Sequence, residues 1–420
     1  MLRVAIIGAG ASGLMAAQAA ARAGASTVVY ERNQMAGKKL LIAGKGRCNF
    51  TNDCSVEKVV EAFGSNGRFL YSAVSMFGPK DMCALMKNLG VGYKVERGRR
   101  VFPVSDRASD VRDALLAFAL SAGAHVTTGT RITSLVLQSG AVAGVRDASG
   151  HVHSADAVIV ATGGASYPAT GSTGDGYRLA QSAGHSVIPP LPALVPIETV
   201  EEWPKALAGL TLRNVELSLS DQGRLVGQEF GEMLFTHFGV SGPIVLTLSR
   251  QVCTSLRSSP ILTPGRFRLS IDLKPALDEP TLARRIQRDL VRGSRKHLGN
   301  SFGELLPRAL IPVVIAHSEV DPATPANQVT REQRDALVRT LKSLPLSVAR
   351  TRPLDEAIVT SGGVDLDEVD PRTMESRLVR GLFFAGEVLD LDAVTGGYNL
   401  QAAFSTGRLA GLSAARGARR

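Results

Sequence analysis

Cysteine is scarce in this chain, and long apolar runs are missing from it. The four cysteines among 420 residues (Cys48, Cys54, Cys83 and Cys253) form no CxxC pair and no His-flanked cluster. That pattern argues against a metal site and fits a reducing compartment. No apolar run reaches the roughly eighteen residues that cross a bilayer, so no membrane span is expected. The apolar stretch near the N-terminus is short and runs straight into glycines, unlike a signal peptide, and a cytoplasmic protein is expected. Acidic residues are outnumbered, 38 against 48 Lys and Arg, which leaves a formal charge of +10 and a pI near 9.7. The imbalance points either to a polyanionic partner such as nucleic acid or to a host with a basic proteome, and charge alone does not choose between them. With 44% hydrophobic residues, the chain can bury a substantial core in two or three domains.

What is present is organised around the first thirty-one residues. Leu2 to Ile7 reads as a buried parallel strand, and Gly8-Ala9-Gly10-Ala11-Ser12-Gly13 follows at once. An Ala-rich helix then runs to Ala23, closed by Gly24, and a second strand from Thr27 ends on Glu31. In a dinucleotide-binding unit Gly8 permits the tight turn, Gly10 lets the backbone approach a pyrophosphate, and Gly13 lets helix and strand pack closely. Ala11 and Ser12 open the helix whose positive end meets that pyrophosphate, and Glu31 accepts the ribose hydroxyls. Strand, glycines, helix, strand and acid come in the right order. Arg32 follows, and then a polar loop carrying Lys39, Gly46, Arg47, Asn49 and Thr51, able to wrap the cofactor.

Further along, an apolar strand to Val160 delivers Ala161-Thr162-Gly163-Gly164, a second fingerprint of two-dinucleotide-binding-domain flavoproteins. Proline density at Pro189, Pro190, Pro192 and Pro196 breaks the pattern and sets a first domain boundary. From Thr211 the pattern has period two, with a turn at Asp221-Gln222-Gly223, and Arg266 to Leu273 alternates likewise. These are antiparallel strands of a small barrel or sandwich. A helix over 281–298 turns Leu282, Ile286 and Leu290 inward and shows Arg284, Arg285, Arg288, Arg292, Arg295 and Lys296 elsewhere, a polyanion site or a solvated face. Glycine-rich character returns from Ile358. A buried strand to Ala385 precedes Gly386-Glu387, and Gly397-Tyr398-Asn399-Leu400 opens a helix of small residues. In flavoproteins of this architecture the acid after such a strand bonds the ribityl chain, and the helix points its positive end at the flavin. The reading is α/β: residues 1–188 and 357–420 form one Rossmann-like domain, and 189–356 form an inserted β-barrel plus helical domain.

The chain resembles the YhiN/BaiN (RdsA-type) family of bacterial flavoproteins over almost its full length. The Gly8 to Gly13 turn, Gly46-Arg47-Cys48-Asn49-Phe50-Thr51-Asn52, Val101-Phe102-Pro103, Thr162-Gly163-Gly164, Gly231 to His237, Gly362-Gly363-Val364, Thr373 to Ser376, and Gly386-Glu387 through Gln401 carry the resemblance. Lys45 stands where the family usually has glycine, as does Ala393, and Phe404 stands for a frequent tryptophan. The resemblance implies FAD and reductase chemistry on carbon–carbon double bonds. Its members are linked to uridine of 23S ribosomal RNA, reduced to dihydrouridine, and to unsaturated bile-acid intermediates. The basic balance favours ribosomal RNA as partner, with phosphates against the arginine-rich helix.

The expected chemistry passes a hydride from reduced FAD to the β carbon of a conjugated carbonyl, C6 of uridine, while a side-chain acid protonates the neighbouring carbon. Cys48 is the first candidate acid, with Tyr398 and His237 in reserve. A single glycine fingerprint implies no separate NAD(P)H domain, so NADPH or NADH is expected as a transient donor. A small-molecule enone reductase and a flavin-containing RNA-binding factor without turnover are the alternatives. The sequence does not set the oligomeric state.

Overall fold

A computed structural model describes residues 1–258 and 262–417. The chain divides into two compact units, Met1–Ala193 with Leu354–Arg420, and Leu194–Pro353. The first unit is built on a five-stranded sheet in the order Leu382–Phe384, Ala157–Val160, Arg3–Ile7, Ser26–Tyr30, His125–Thr127. Every neighbouring pair is parallel. Parallel strands are covered on both faces, which is why these segments are near-continuous apolar runs rather than alternating ones. Ala157–Val160 and Leu382–Phe384 are buried throughout.

On the sheet the first helix, Ala11–Arg22, lies against the last, Tyr398–Ala415. Small residues permit that approach: a Cβ on Gly407 would lie 2.2 Å from the Ser12 carbonyl oxygen, and one on Gly411 2.3 Å from that of Ala16. Both obstacles are backbone, so neither can yield.

The proline-rich segment stays with this unit. Val187–Ala193 pairs antiparallel with Val359–Val364, with a register shift between Ile188 and Leu191. A two-stranded ribbon tolerates proline because few ladder bonds depend on its missing N–H. The boundary therefore falls after Ala193 rather than at 188.

His185 ties the two stretches of this unit together. Its Nδ1 lies 3.0 Å from Glu368 Oε2 and its Nε2 2.7 Å from Ser376 Oγ, and its side chain is wholly buried. Burial pushes the imidazole below its ordinary value of about 6.5, although Glu368 opposes the shift. The unfolded chain thus takes up a proton that the folded chain resists, and stability declines as pH falls below about 6.5. Thermal midpoints of His185→Gln should fall less steeply over that range than those of the unmodified protein. Parallel curves would remove the imidazole from the acid response.

The second unit holds a closed barrel in the order Ile197–Thr199, Gly239–Ser241, Arg224–Thr236, Thr211–Asp221, Phe267–Asp272, Leu344–Thr351, closing on the first. All its pairings are antiparallel. Leu217, Leu219, Phe235, Leu269 and Ile271 fill it, as the period-two pattern requires. The arginine-rich helix spans Glu279–Arg292, not 281–298. Asp278 caps its start and Gly293 its end, so Arg295 and Lys296 lie beyond it. Leu282, Ile286 and Leu290 are buried as expected. Among the described residues no helix is long and apolar enough to cross a membrane.

Candidate functional site

Four adjacent strands of the parallel sheet end at one edge, and each runs directly into a segment singled out from sequence. Ile7 leads to Gly8, Tyr30 to Glu31, Val160 to Ala161, and Phe384 to Ala385 and Gly386. The central strand Arg3–Ile7 has neighbours on both sides, so this edge holds the crevice where open α/β sheets take their ligands.

The turn after the central strand is shaped by backbone contacts. Gly8 has φ +101°, and a Cβ on Gly13 would lie 1.9 Å from the Gly8 carbonyl oxygen. A Cβ on Gly10 meets nothing within 4 Å. The helix that follows, opened by Ala11 and Ser12, has no side-chain cap and no acidic residue in its first turn. Its positive end therefore remains available to an anion. Glu31 is 7% exposed; its Oε2 accepts from the Ala9 N–H at 2.9 Å, and its Oε1 accepts from the Asn33 backbone and side-chain nitrogens at 2.8 and 2.7 Å.

A second uncapped helix start faces the Arg47–Asn52 segment. Gly397, left-handed at φ +95°, precedes Tyr398, Asn399 and Leu400, and no acid occupies that first turn. Thr51 Oγ1 donates to Gln401 Oε1 at 2.6 Å, and Asn52 Nδ2 to the Gly396 carbonyl at 3.1 Å. Asn399 holds the preceding loop through both backbone groups of Ala393, at 2.9 and 3.1 Å. Asn49 Oδ1 is buried there with no hydrogen-bond partner among the described residues. An orphaned acceptor beside a free helix N-terminus fits a ligand carrying both N–H or O–H groups and negative character. The residues present thus fit FAD: Gly10, Ala11 and Ser12 for the pyrophosphate, Glu31 for the ribose, and Asn49 with the Tyr398 turn for the flavin.

Between these ends runs a polar network. Lys39 Nζ donates to Glu387 Oε2 and to Ser166 Oγ, each at 2.8 Å. Glu387 Oε1 accepts from Ser166 Oγ at 3.0 Å and from the Thr360 N–H at 2.8 Å. Thr360 Oγ1 in turn accepts from the Ala165 and Ser166 amides, and a Cβ on Gly164 would lie 2.4 Å from it. Ser166 lies in the bend after Gly163-Gly164 and Thr360 in the strand Val359–Val364, and both are wholly buried. Polar residues beside glycine pairs were the available signal, and their joint role becomes visible only through Glu387.

Two further expected cofactor cations, besides Lys39, have protein partners. Arg47 donates to both carboxylate oxygens of Glu96, at 3.1 and 2.7 Å, and stacks on Phe102 at 4.0 Å. Arg32 meets Thr173 Oγ1 at 2.5 Å and Asp175 Oδ2 at 3.1 Å. Gly46 and Lys45 are exposed, and Thr162 and Gly163 lie partly buried at the strand end.

The three candidate acids differ in exposure. Cys48 has no exposed surface, has φ +59°, and burial pushes its thiol up to about 12. Tyr398 is half-buried, its pKa raised by that burial and by nearby Cys54, and its hydroxyl has no hydrogen-bond partner among the described residues. His237 is exposed in the second unit, its ring against Phe238.

Of the helix cations, Arg285 is committed to Asp289, at 3.0 and 3.1 Å, and Arg284 bonds Thr281 Oγ1 at 2.9 Å. Arg292 reaches Glu304 at 3.6 Å. Arg288, Arg295 and Lys296 are exposed and have no carboxylate partner among the described residues.

Lys45 has φ +60° between Gly44 and Gly46, both also left-handed. A side chain there costs about 1–2 kcal/mol that glycine avoids, against about 0.5–1 kcal/mol of extra chain entropy. Lys45→Gly should therefore stabilise the protein by about 0.5–1 kcal/mol in urea unfolding. A destabilised variant would show that the lysine makes a compensating contact.

Fold and site together define a Rossmann-type flavin oxidoreductase. The chain belongs to the family described as HI0933-like protein Rossmann domain, which matches residues 2–413. It is 33% identical over 417 residues to the 3-dehydro-bile acid delta(4,6)-reductase of Clostridium scindens, covering 99% of each chain. It is 31% identical over 404 residues to the ribosomal RNA dihydrouridine synthase of Escherichia coli K12, covering 96% of this chain and 95% of the relative. Among solved structures, a flavocytochrome c3 fumarate reductase superposes with a TM-score of 0.54 at 18% identity, over 100% of this chain and 79% of that one.

Proposed function

We propose that this protein reduces the C5–C6 double bond of a uridine in 23S ribosomal RNA to dihydrouridine, using FAD recharged by NADPH or NADH. Relatives of nearly equal identity carry either a ribosomal RNA or a bile-acid name, so similarity does not choose. One observation favours RNA: Arg288, Arg295 and Lys296 stand exposed without carboxylate partners among the described residues, in a chain of net charge +10. Unpaired surface cations are what a phosphate backbone uses, and a steroid has no need of them.

FAD, when bound and reduced, supplies a hydride to the β carbon of the conjugated carbonyl. The chain's own residues supply the rest. Glu31 and the first helix orient the nucleotide end. Lys39, Ser166 and Thr360 hold Glu387 in place between the two helix ends. Tyr398 donates the proton to the neighbouring carbon and recovers it from solvent. Accessibility rather than acidity selects it over Cys48: both groups keep their protons at neutral pH, but only the tyrosine is partly exposed.

Mass spectrometry of ribosomal RNA from cells lacking the gene tests this reading. One uridine should lose the mass gain of two hydrogens and regain it when the gene is restored. Unchanged RNA, with flavin reoxidised by unsaturated 3-keto steroids instead, would establish an enone reductase, the activity for which the C. scindens relative is named.

A further inference from the structure

We infer that the second unit carries a phosphate-binding cleft, outside the flavin crevice, that anchors single-stranded RNA by its backbone; the choice of RNA rests on the function proposed above. The cleft has a volume of about 720 Å³ and lies where the helix Glu279–Arg292 ends. Ligand sites of about 300–1,000 Å³ hold molecules of nucleotide size. Arg292, Lys296 and Arg308 line it, with Asn300, Ser301 and Glu304.

The charge balance is favourable to an anion. Asp289, also in the wall, is 6% exposed and is neutralised by Arg285. Glu304 is shared between Arg285 at 3.7 Å and Arg292 at 3.6 Å, too far for tight bonds. Two carboxylates in the wall thus meet three cations of the wall and Arg285 beside it, and Lys296 and Arg308 have no carboxylate partner among the described residues.

The lining also says what kind of anion. It includes no aromatic ring on which a base would stack, and Ile311 and Pro312 are its only apolar side chains beyond the glycines. Asn300 and Ser301 are donors and acceptors suited to phosphate oxygens and ribose hydroxyls. A sterol body would leave these groups unpaired.

The approach to the cleft argues for an extended polyanion rather than a compact one. Arg284, Arg288 and Arg292 recur every four residues along one face, about 6 Å apart per step, and lead into the cleft. Phosphates strung along a strand can occupy such a row in sequence, with the cleft taking the last.

The test uses the full-length flavin-loaded protein, the triple variant Arg292→Glu, Lys296→Glu, Arg308→Glu, and the single variant Arg308→Ala. Anisotropy of a fluorescent single-stranded oligouridylate is followed between about 50 and about 200 mM salt. The triple variant should bind at least tenfold more weakly, and its salt slope should drop by about 2, because each lost phosphate contact removes about 0.7 from it. Arg308→Ala should move both quantities in the same direction by less, while Arg224→Glu, on the barrel hairpin, should move neither. Unchanged affinity and slope in the triple variant would overturn the cleft, as would failure of the unmodified protein to bind the oligonucleotide. Displacement by inorganic phosphate as effective as displacement by RNA at equal ionic strength would overturn it too. Dihydrouridine formation is read separately. RNA held by these cations without reduction sinks the proposed function alone, whereas reduction with unaltered RNA binding in the triple variant sinks the cleft alone.

Discussion

Gly13→Ala should yield protein that retains no FAD and unfolds at markedly lower temperature. The added Cβ would sit 1.9 Å from the Gly8 carbonyl oxygen, 3.0 Å from its carbon and 3.5 Å from the Ala161 Cβ. The first two are backbone, and Gly8 is tethered to the sheet by its own N–H, which donates to the Tyr30 carbonyl at 2.8 Å. The helix start must therefore lift off the sheet edge. Overpacking costs typically about 1–3 kcal/mol even where side chains can move, and here none of the obstructing atoms belongs to a flexible side chain. A loss of about 3 kcal/mol corresponds to roughly a hundredfold weaker hold on the cofactor. Gly10→Ala separates ligand space from packing. Residue 10 has φ −82° and open space before it, so alanine fits the protein without strain. That variant should keep its thermal midpoint when stripped of cofactor and still lose flavin, read as the ratio of flavin to protein absorbance. Full retention of flavin by Gly10→Ala would mean that the pyrophosphate does not approach this turn.

These two glycines also mark how far sequence carries. The unit from Leu2 to Glu31 was legible because its determinants are local: a strand, a turn and a helix whose residues touch neighbours close in the chain. The barrel was legible in its long strands, Thr211–Asp221 and Arg224–Thr236, but not in its closure. Ile197–Thr199 and Gly239–Ser241 are three residues each, too short to show a period, yet they shut the barrel. The arginine-rich helix was read six residues past its C-terminal end because the basic pattern runs on past Gly293 while the helix does not. Cation roles were the least legible. Arg47 finds Glu96 49 positions away, and Lys39 finds Glu387 348 positions away. A sequence shows the charge but not whether folding has already neutralised it. Cys48 is the same lesson for burial: a thiol in a polar loop could be an acid at the cofactor or an inert buried side chain, and only the folded chain shows that it has no exposed surface.

Tyr398→Phe should leave flavin binding intact and lower kcat by about 10²–10⁴, the usual worth of a positioned general acid. The ring opens the last helix at a point that packing holds rigid: the N–H of Gln401 bonds the Gly397 carbonyl, and Gln401 is itself tied to Thr51 and to the Phe77 carbonyl. Phenylalanine keeps the ring and removes only a hydroxyl that no described residue uses, so stability should scarcely change. KM should stay near its original value, since a proton delivered in the transition state contributes nothing to ground-state binding. The pH profile supplies an independent check. Burial raises the tyrosine above its ordinary 10, so kcat should be flat through neutrality and fall only in strong alkali. Cys48→Ala should leave kcat within a few-fold, because a thiol with no exposed surface cannot meet a substrate. The reverse pair of results, turnover lost in Cys48→Ala and kept in Tyr398→Phe, would return the proton to the thiol and require the Arg47–Asn52 segment to open during catalysis.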